Sequence, residues 1–342
     1  MLFMRRKIVF LGGLFPAEFS ILKSFEQNNS DLYFLIDNSS WGQSFKTSYQ
    51  YFLKGKNYII FVDDNDLQEQ IEKLNPDAII HRLYNGTTYS FNNSYEIAKK
   101  LGIPLIKWCM ETDYNDSYTT RFHNCDLAFF SHDTTFIQKL AQEAPINCYF
   151  FPYGVSDIET KLDNPKTKSF GTIGRFHSNI KRRIENIEMF TSTLEAFKEK
   201  LYVHSDEWLT APESISRNII KRPQYFIENT TKIINQYDVI INIESISDLE
   251  GAYSHKLWQS MGCGIPVITN YRKCIENLFG PNGENLIYVE NTNDIIYAYH
   301  VLLSNEKFRK ELSERCYKFV HDEFDWYKRM ESIFMLEKIW KK

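Results

Sequence analysis

The chain has 342 residues, room for about two domains at roughly 150 residues each. Hydrophobic residues at 43% and charged residues at 25% are ordinary globular values, which excludes wholesale disorder and fibrous repeats. A net charge of −4 argues against a generic nucleic-acid coat and leaves only a local basic patch open.

From the N-terminus, a short basic stretch precedes the apolar run 8–11, which is too short for a signal-peptide core and reads as a first strand. Further apolar runs at 32–36, 58–62, 78–80, 104–108 and 127–130 predict strands, with helices at 16–27, 66–74, 94–101 and 134–143 between them. Such alternation, without a polar face on the strands, implies a parallel sheet covered by helices on both sides. The pattern restarts with a run at 148–151, followed by a polar linker at 156–168. Strands are then predicted at 170–173, 201–204, 239–243, 265–269 and 286–289, and helices at 184–200, 230–236, 254–261 and 294–304. A long amphipathic tail, 306–340, is expected to break near His321 and Asp322. The reading is α/β: a Rossmann-like domain over 1–152 and another over 153–320. The helix over 321–342 needs an apolar surface, and the first domain is the expected one.

Six scattered cysteines form no C-x-x-C and read as reduced thiols. No run approaches the roughly 18 apolar residues of a membrane span. The expected location is cytoplasmic, with peripheral membrane association left open.

In doubly wound sheets, ligands bind beyond the carboxyl ends of the strands, and that rule selects the candidate residues. Gly12-Gly13 follows the first strand without completing G-x-G-x-x-G. Gly13 allows close approach to a ligand or simply makes a tight turn. Gly174-Arg175 follows a predicted strand, and Lys181-Arg182-Arg183 comes shortly after. Arg175 and Lys181 would suit a diphosphate, or the cluster is a solvated helix start. The segment 250–269 reads as loop, helix, glycine turn and strand. Its helix N-terminus, near Ser254 and His255, suits a phosphate, and Lys256 adds charge.

That segment, EGAYSHKLWQSMGCGIPVIT, resembles the donor-site motif of GT-B glycosyltransferases. Gly174-Arg175 with Lys181 resembles the family's diphosphate clamp, and Gly154 in PYGV resembles its interdomain junction. The ending GENLIYVENTNDIIYAYHVLLSNEKFRKEL resembles the strand and helices that close the fold. The likeness runs over 148–330 and is strongest to spore-maturation-type and polysaccharide glycosyltransferases. It implies GT-B architecture, two Rossmann-like domains facing across a cleft, and transfer of a sugar from a UDP- or GDP-sugar co-substrate. The acceptor would be a hydroxyl on a glycan, lipid-linked saccharide or similar molecule, with no further cofactor. Gln259 stands where the family's second Glu holds the nucleotide ribose. Glu250 matches the first acidic position only with one residue inserted, so the stereochemistry stays open.

The first domain is expected to carry the acceptor, through His81 and Arg82, and a base. Glu111 and Asp113 are the preferred base pair; Asp37, His123, His132 and Asp133 are weaker candidates. Carboxylates in such places also cap helices. Asp64-Asn65-Asp66 is formally Asp-x-Asp but reads as a turn and N-cap, so no metal site is expected. Two alternatives stand beside this reading. One is a phage-type glycosyltransferase acting on hydroxymethylated DNA bases, kept open by the Lys181–Arg183 cluster. The other is a non-catalytic nucleotide-sugar binder, which the neutral Gln259 favours. The architecture also suits a nucleotide-sugar 2-epimerase, whose catalytic set has no clear match.

Overall fold

The computed structural model describes residues 7–12, 16–27, 31–37, 59–63, 65–83, 91, 93–109, 124–131, 142, 147–163, 167–174, 176, 181–222, 229–244, 251 and 253–334. They fall into two compact units: Met1–Tyr153 together with Trp326–Lys342, and Gly154–Asp325.

The first unit's described residues build a seven-stranded sheet in the order β3-β2-β1-β4-β5-β6-β7. Its strands are β1 (Lys7–Leu11), β2 (Asp31–Asp37), β3 (Ile59–Val62), β4 (Ala78–Leu83), β5 (Leu105–Cys109), β6 (Leu127–Phe130) and β7 (Asn147–Phe150). All neighbours are parallel. One face packs Val9, Leu11, Leu35, Ile79 and Leu105 against α2 (Leu67–Leu74) and α3 (Ser94–Leu101). Gly102 ends α3 at φ 66°, a left-handed cap that needs no Cβ.

Aromatic rings fill the other face. Phe10 stacks on Phe34 at 4.8 Å, and Trp108 meets Trp326 at 5.4 Å. Trp326 opens α11 (Trp326–Phe334) and is fully buried; its indole N–H donates to Ser20 Oγ of α1 (Pro16–Gln27) at 3.1 Å. The chain returns to this unit at 325/326, later than the expected 320/321. Helix α10 (Glu306–Glu323) runs unbroken through His321, with Val320 fully buried. Phe324 then packs on Trp258 and Phe279, at 5.7 and 6.0 Å, which ties the end of α10 to the second core.

The second unit holds a six-stranded sheet in the order β10-β9-β8-β11-β12-β13, also parallel throughout. Its strands are β8 (Thr167–Ile173), β9 (Leu201–His204), β10 (Ile219–Lys221), β11 (Tyr237–Asn242), β12 (Val267–Asn270) and β13 (Ile287–Val289). Helix α4 (Lys181–Ala196) buries Ile187, Phe190 and Leu194 on one face of the sheet. The shorter helices are α5 (Glu213–Ser216), α6 (Thr230–Ile234), α7 (Lys256–Gly262), α8 (Lys273–Phe279) and α9 (Thr292–Tyr299). The single helix expected over 294–304 is instead α9 followed by a π-helical turn, His300–Ser304. On the opposite face the Tyr237 ring lies across Gly171, where a methyl group would overlap it, and its hydroxyl lies 2.5 Å from His204 Nε2.

The six cysteines are free thiols. Burial pushes Cys125 and Cys316 up to about 12, so neither is a ready nucleophile. Among the described residues, no helix is long and apolar enough to cross a membrane.

Candidate functional site

The switch point of the second sheet lies between β8 and β11, where neighbouring crossovers run in opposite directions. Strand β8 ends at Ile173, and Gly174 follows at φ 121°, a conformation that L side chains rarely adopt. Its carbonyl accepts the Trp208 indole N–H at 2.9 Å. A methyl group at Gly174 would overlap Nζ and Cε of Lys256, so the Lys256 ammonium rests against the backbone at this turn. Two residues far apart in sequence therefore meet at the carboxyl edge. Lys256 opens α7, the crossover that leaves β11 for β12.

Glu244, just beyond β11, is the centre of this edge and is 3% exposed. Its Oε1 accepts from Asn242 Nδ2 at 2.7 Å and from the Ser254 backbone N–H at 3.1 Å. Burial pushes the Glu244 carboxyl above the usual carboxylate range, opposed by those hydrogen bonds and by the charges of Arg272 and Lys256. Arg183 lies beneath it in the first turn of α4, 2% exposed, with Nη1 donating to Ile243 O at 3.0 Å. Burial lowers the Arg183 guanidinium to about 10, against Glu244 and Glu207, so it stays charged at neutral pH. The chain from Arg183 through Glu244 to Ser254 fixes the turn that presents Lys256. Ser254 Oγ accepts the Lys256 backbone N–H at 3.3 Å, and His255 Nε2 donates to Gly154 O at 3.2 Å.

Beside Glu244 lies a cavity of about 330 Å³ at the ends of β11, β12 and β13. Arg182, Asn186, Asn270, Arg272 and Glu290 line it with Glu244.

Among the expected donor-site residues, the structure brings together Gly174, Ser254, His255 and Lys256. Gln259 is buried on α7, 5% exposed. Lys181 is 91% exposed and lies 3.7 Å from Glu185 one turn on. Gly13, Arg175 and Glu250 lie outside the described residues. Glu244 and Arg183 are the residues that the motif reading passed over or misplaced. Applied to β11, the strand-end rule points to Glu244. Helical spacing with Ile187, Phe190 and Leu194 points Arg183 inward.

In the first unit, β4 runs to Leu83, so His81 and Arg82 lie within the strand and not after it. Both are buried and point to opposite faces, as neighbours on a strand must. His81 Nδ1 sits 2.9 Å from Ser94 Oγ of α3. Burial, and then the Lys107 charge, lower its imidazole to about 3, so it is neutral at physiological pH. Arg82 forms an ion pair with Glu18 of α1, which is fully buried. Both side chains are thus engaged in the packing of helices on the sheet. Glu111, Asp113, His123, His132, Asp133 and Asp64 lie outside the described residues, and only the backbone of Asp37 lies within them. Asp66 precedes α2 without a side-chain capping bond. Among the described residues, no group of three or more His, Cys, Asp or Glu could hold a metal ion.

Comparison with known proteins bears on this edge. The model of the family described as glycosyl transferase-like matches residues 182–335, a little under half of the chain. No curated protein matches the sequence. Among solved structures, Anabaena HepE in complex with UDP and glucose superposes with a TM-score of 0.70, at 10% identity, covering 96% of this chain and 98% of that one. A glycosyltransferase from Rickettsia africae gives 0.69 at 12% identity, covering 99% and 100%. The pneumococcal O-GlcNAc transferase GtfA, in complex with UDP and GlcNAc, gives 0.67 at 11% identity, also covering 99% and 100%. The chain therefore has the GT-B fold of two Rossmann-like units, and residues 182–335, most of the second unit and the helix that follows it, carry the glycosyl transferase-like sequence pattern.

Proposed function

We propose that the protein transfers a sugar from a nucleotide-sugar, a UDP- or GDP-sugar, to a hydroxyl acceptor. The observation that carries this reading is the meeting of Lys256 with the Gly174 turn at the switch point of the second sheet. A glycine turn lets a phosphate approach the backbone, and the ammonium supplies charge beside it. The glycosyl transferase-like match over the same unit supports it, as do fold neighbours solved with UDP and a sugar.

In this reading Lys256 stabilises the negative charge that develops on the departing diphosphate. Arg175 and Lys181 are assigned to the same group, and Gln259 to the ribose hydroxyls through its neutral amide. Glu111 and Asp113 are the candidates for the base that takes the acceptor proton, and Glu250 is assigned near the reacting sugar; His81 and Arg82, buried within β4, are not assigned to the acceptor. The DNA alternative loses ground, because Arg183 is buried under Glu244 and leaves the basic cluster short of one charge.

The test is calorimetric UDP binding together with nucleotide diphosphate release from a panel of UDP- and GDP-sugars. Lys256→Ala should weaken UDP binding by about 1.5–3 kcal/mol, the value of a charge-assisted hydrogen bond. Wild-type protein that neither binds UDP or GDP nor releases either from any donor would refute the reading. Binding without release would favour the non-catalytic binder.

A further inference from the structure

We propose that the cavity at the carboxyl ends of β11, β12 and β13 binds a hydroxyl-bearing anion of monosaccharide size, a sugar carboxylate or a sugar phosphate. This goes beyond the donor reading and rests on the cavity alone.

Three observations converge. Size comes first: about 330 Å³ is at the small end of ligand pockets, which run from about 300 to 1,000 Å³. One substituted sugar ring fits that volume better than a whole nucleotide-sugar. Gly174 and Lys256 are not among its lining residues.

The acceptors come second. Asn270 lines the cavity, and its Oδ1 is buried with no hydrogen-bond partner. A buried carbonyl oxygen in that state calls for a donor. Glu244, also on the wall, presents a carboxylate whose remaining capacity is again to accept. A ligand that satisfies both brings O–H groups.

Charge comes third. The buried Glu244 carboxyl faces Arg272 and Lys256, and Arg183 faces Glu244 and Glu207. Arg182 and Arg272 both line the cavity, and a guanidinium fork matches a carboxylate or phosphate. Lys273 is occupied by Glu276 at 2.6 Å, and the opposing Glu290 is exposed at the rim, where water screens it. The Tyr271 ring, 38% exposed and edge-on to Tyr288, adds a flat apolar wall.

The experiment is isothermal titration of the full chain with D-glucuronate and with glucose 1-phosphate. Glucose and inorganic phosphate serve as controls, and each titration is repeated in saturating UDP. One or both anionic sugars should bind at least tenfold more tightly than either control, with or without UDP, and the arm that binds identifies the anionic group. Asn270→Ala removes an unpartnered oxygen, so it should leave the unfolding midpoint unchanged and weaken the sugar about tenfold. Arg272→Gln should weaken it by at least as much. Glucose binding as well as the acids, or phosphate as well as glucose 1-phosphate, would overturn the inference. So would the absence of binding, wild-type affinity in Asn270→Ala and Arg272→Gln, or loss of binding in UDP. A failure of UDP itself to bind would count against the proposed function only.

Discussion

Acidification should destabilise the first unit through one side chain, His81. The imidazole is buried on β4, 2.9 Å from Ser94 Oγ, with Phe91 edge-on at 6.3 Å and Lys107 beside it on β5. Burial and the Lys107 charge hold it at about 3, against 6.5 for a free histidine. The unfolded chain takes up this proton below pH 6.5, whereas the folded chain refuses it until about pH 3. Within that window the unfolded state binds more protons, so stability falls as pH falls. The slope approaches about 1.4 kcal/mol per pH unit well below 6.5, where it is half that value, so the loss between pH 6.5 and 4.5 is roughly 2.3 kcal/mol. Carboxylates titrate in the same range, so the measurement is a difference. Urea unfolding of the wild type is compared with that of His81→Gln, whose amide can keep the Ser94 contact. The wild type should lose about 2.3 kcal/mol relative to the variant over those two units and almost nothing above pH 7. A constant difference across the range would refute the reasoning, because it would mean that the folded protein accommodates the imidazolium.

Gly174→Ala should cost about 1–3 kcal/mol from its positive φ and should displace the Lys256 ammonium, lowering UDP affinity. Combined with Lys256→Ala it should cause little further loss of affinity, and full additivity in calorimetry would separate the two residues. Trp326→Ala should destabilise the first unit by about 3–5 kcal/mol, as expected for a buried indole. Trp326→Phe should cost only about 1 kcal/mol for the bond to Ser20, and equal denaturation midpoints for the two variants would contradict the packing described.

Most of the fold is legible in the sequence because strands covered on both faces must be apolar throughout. The run Leu127–Phe130, for instance, is entirely buried. Where a strand carries polar residues the pattern fails. His81 and Arg82 end the apolar run at Ile80, yet β4 continues because Ser94 and Glu18 satisfy them. The edge strand Ile219–Lys221 is too short and too exposed to show a pattern. Helix α8 offers only Ile275 and Phe279 as buried apolar residues, one turn apart. At the candidate site, Gly174 and Lys256 were each visible as residue types suited to phosphate. Their adjacency required the strand order, which places β8 next to β11. Glu244 belongs to no motif; its importance comes from burial, a property of the folded chain. Arg183 looked like one of three surface cations until helical phase set it apart.

The division of the chain at 153/154 and 325/326 has a consequence for its biosynthesis. The aromatic face of the first sheet is closed by Trp326, which leaves the ribosome only after all of Gly154–Asp325. At about 5–20 residues per second, that interval is on the order of ten to thirty seconds. Throughout it, Trp108 and Phe151 lack their partner at 5.4 and 6.1 Å. The nascent first unit therefore spends its early life with the Trp326 part of its apolar face uncovered, which makes it a natural client for a chaperone at the exit tunnel.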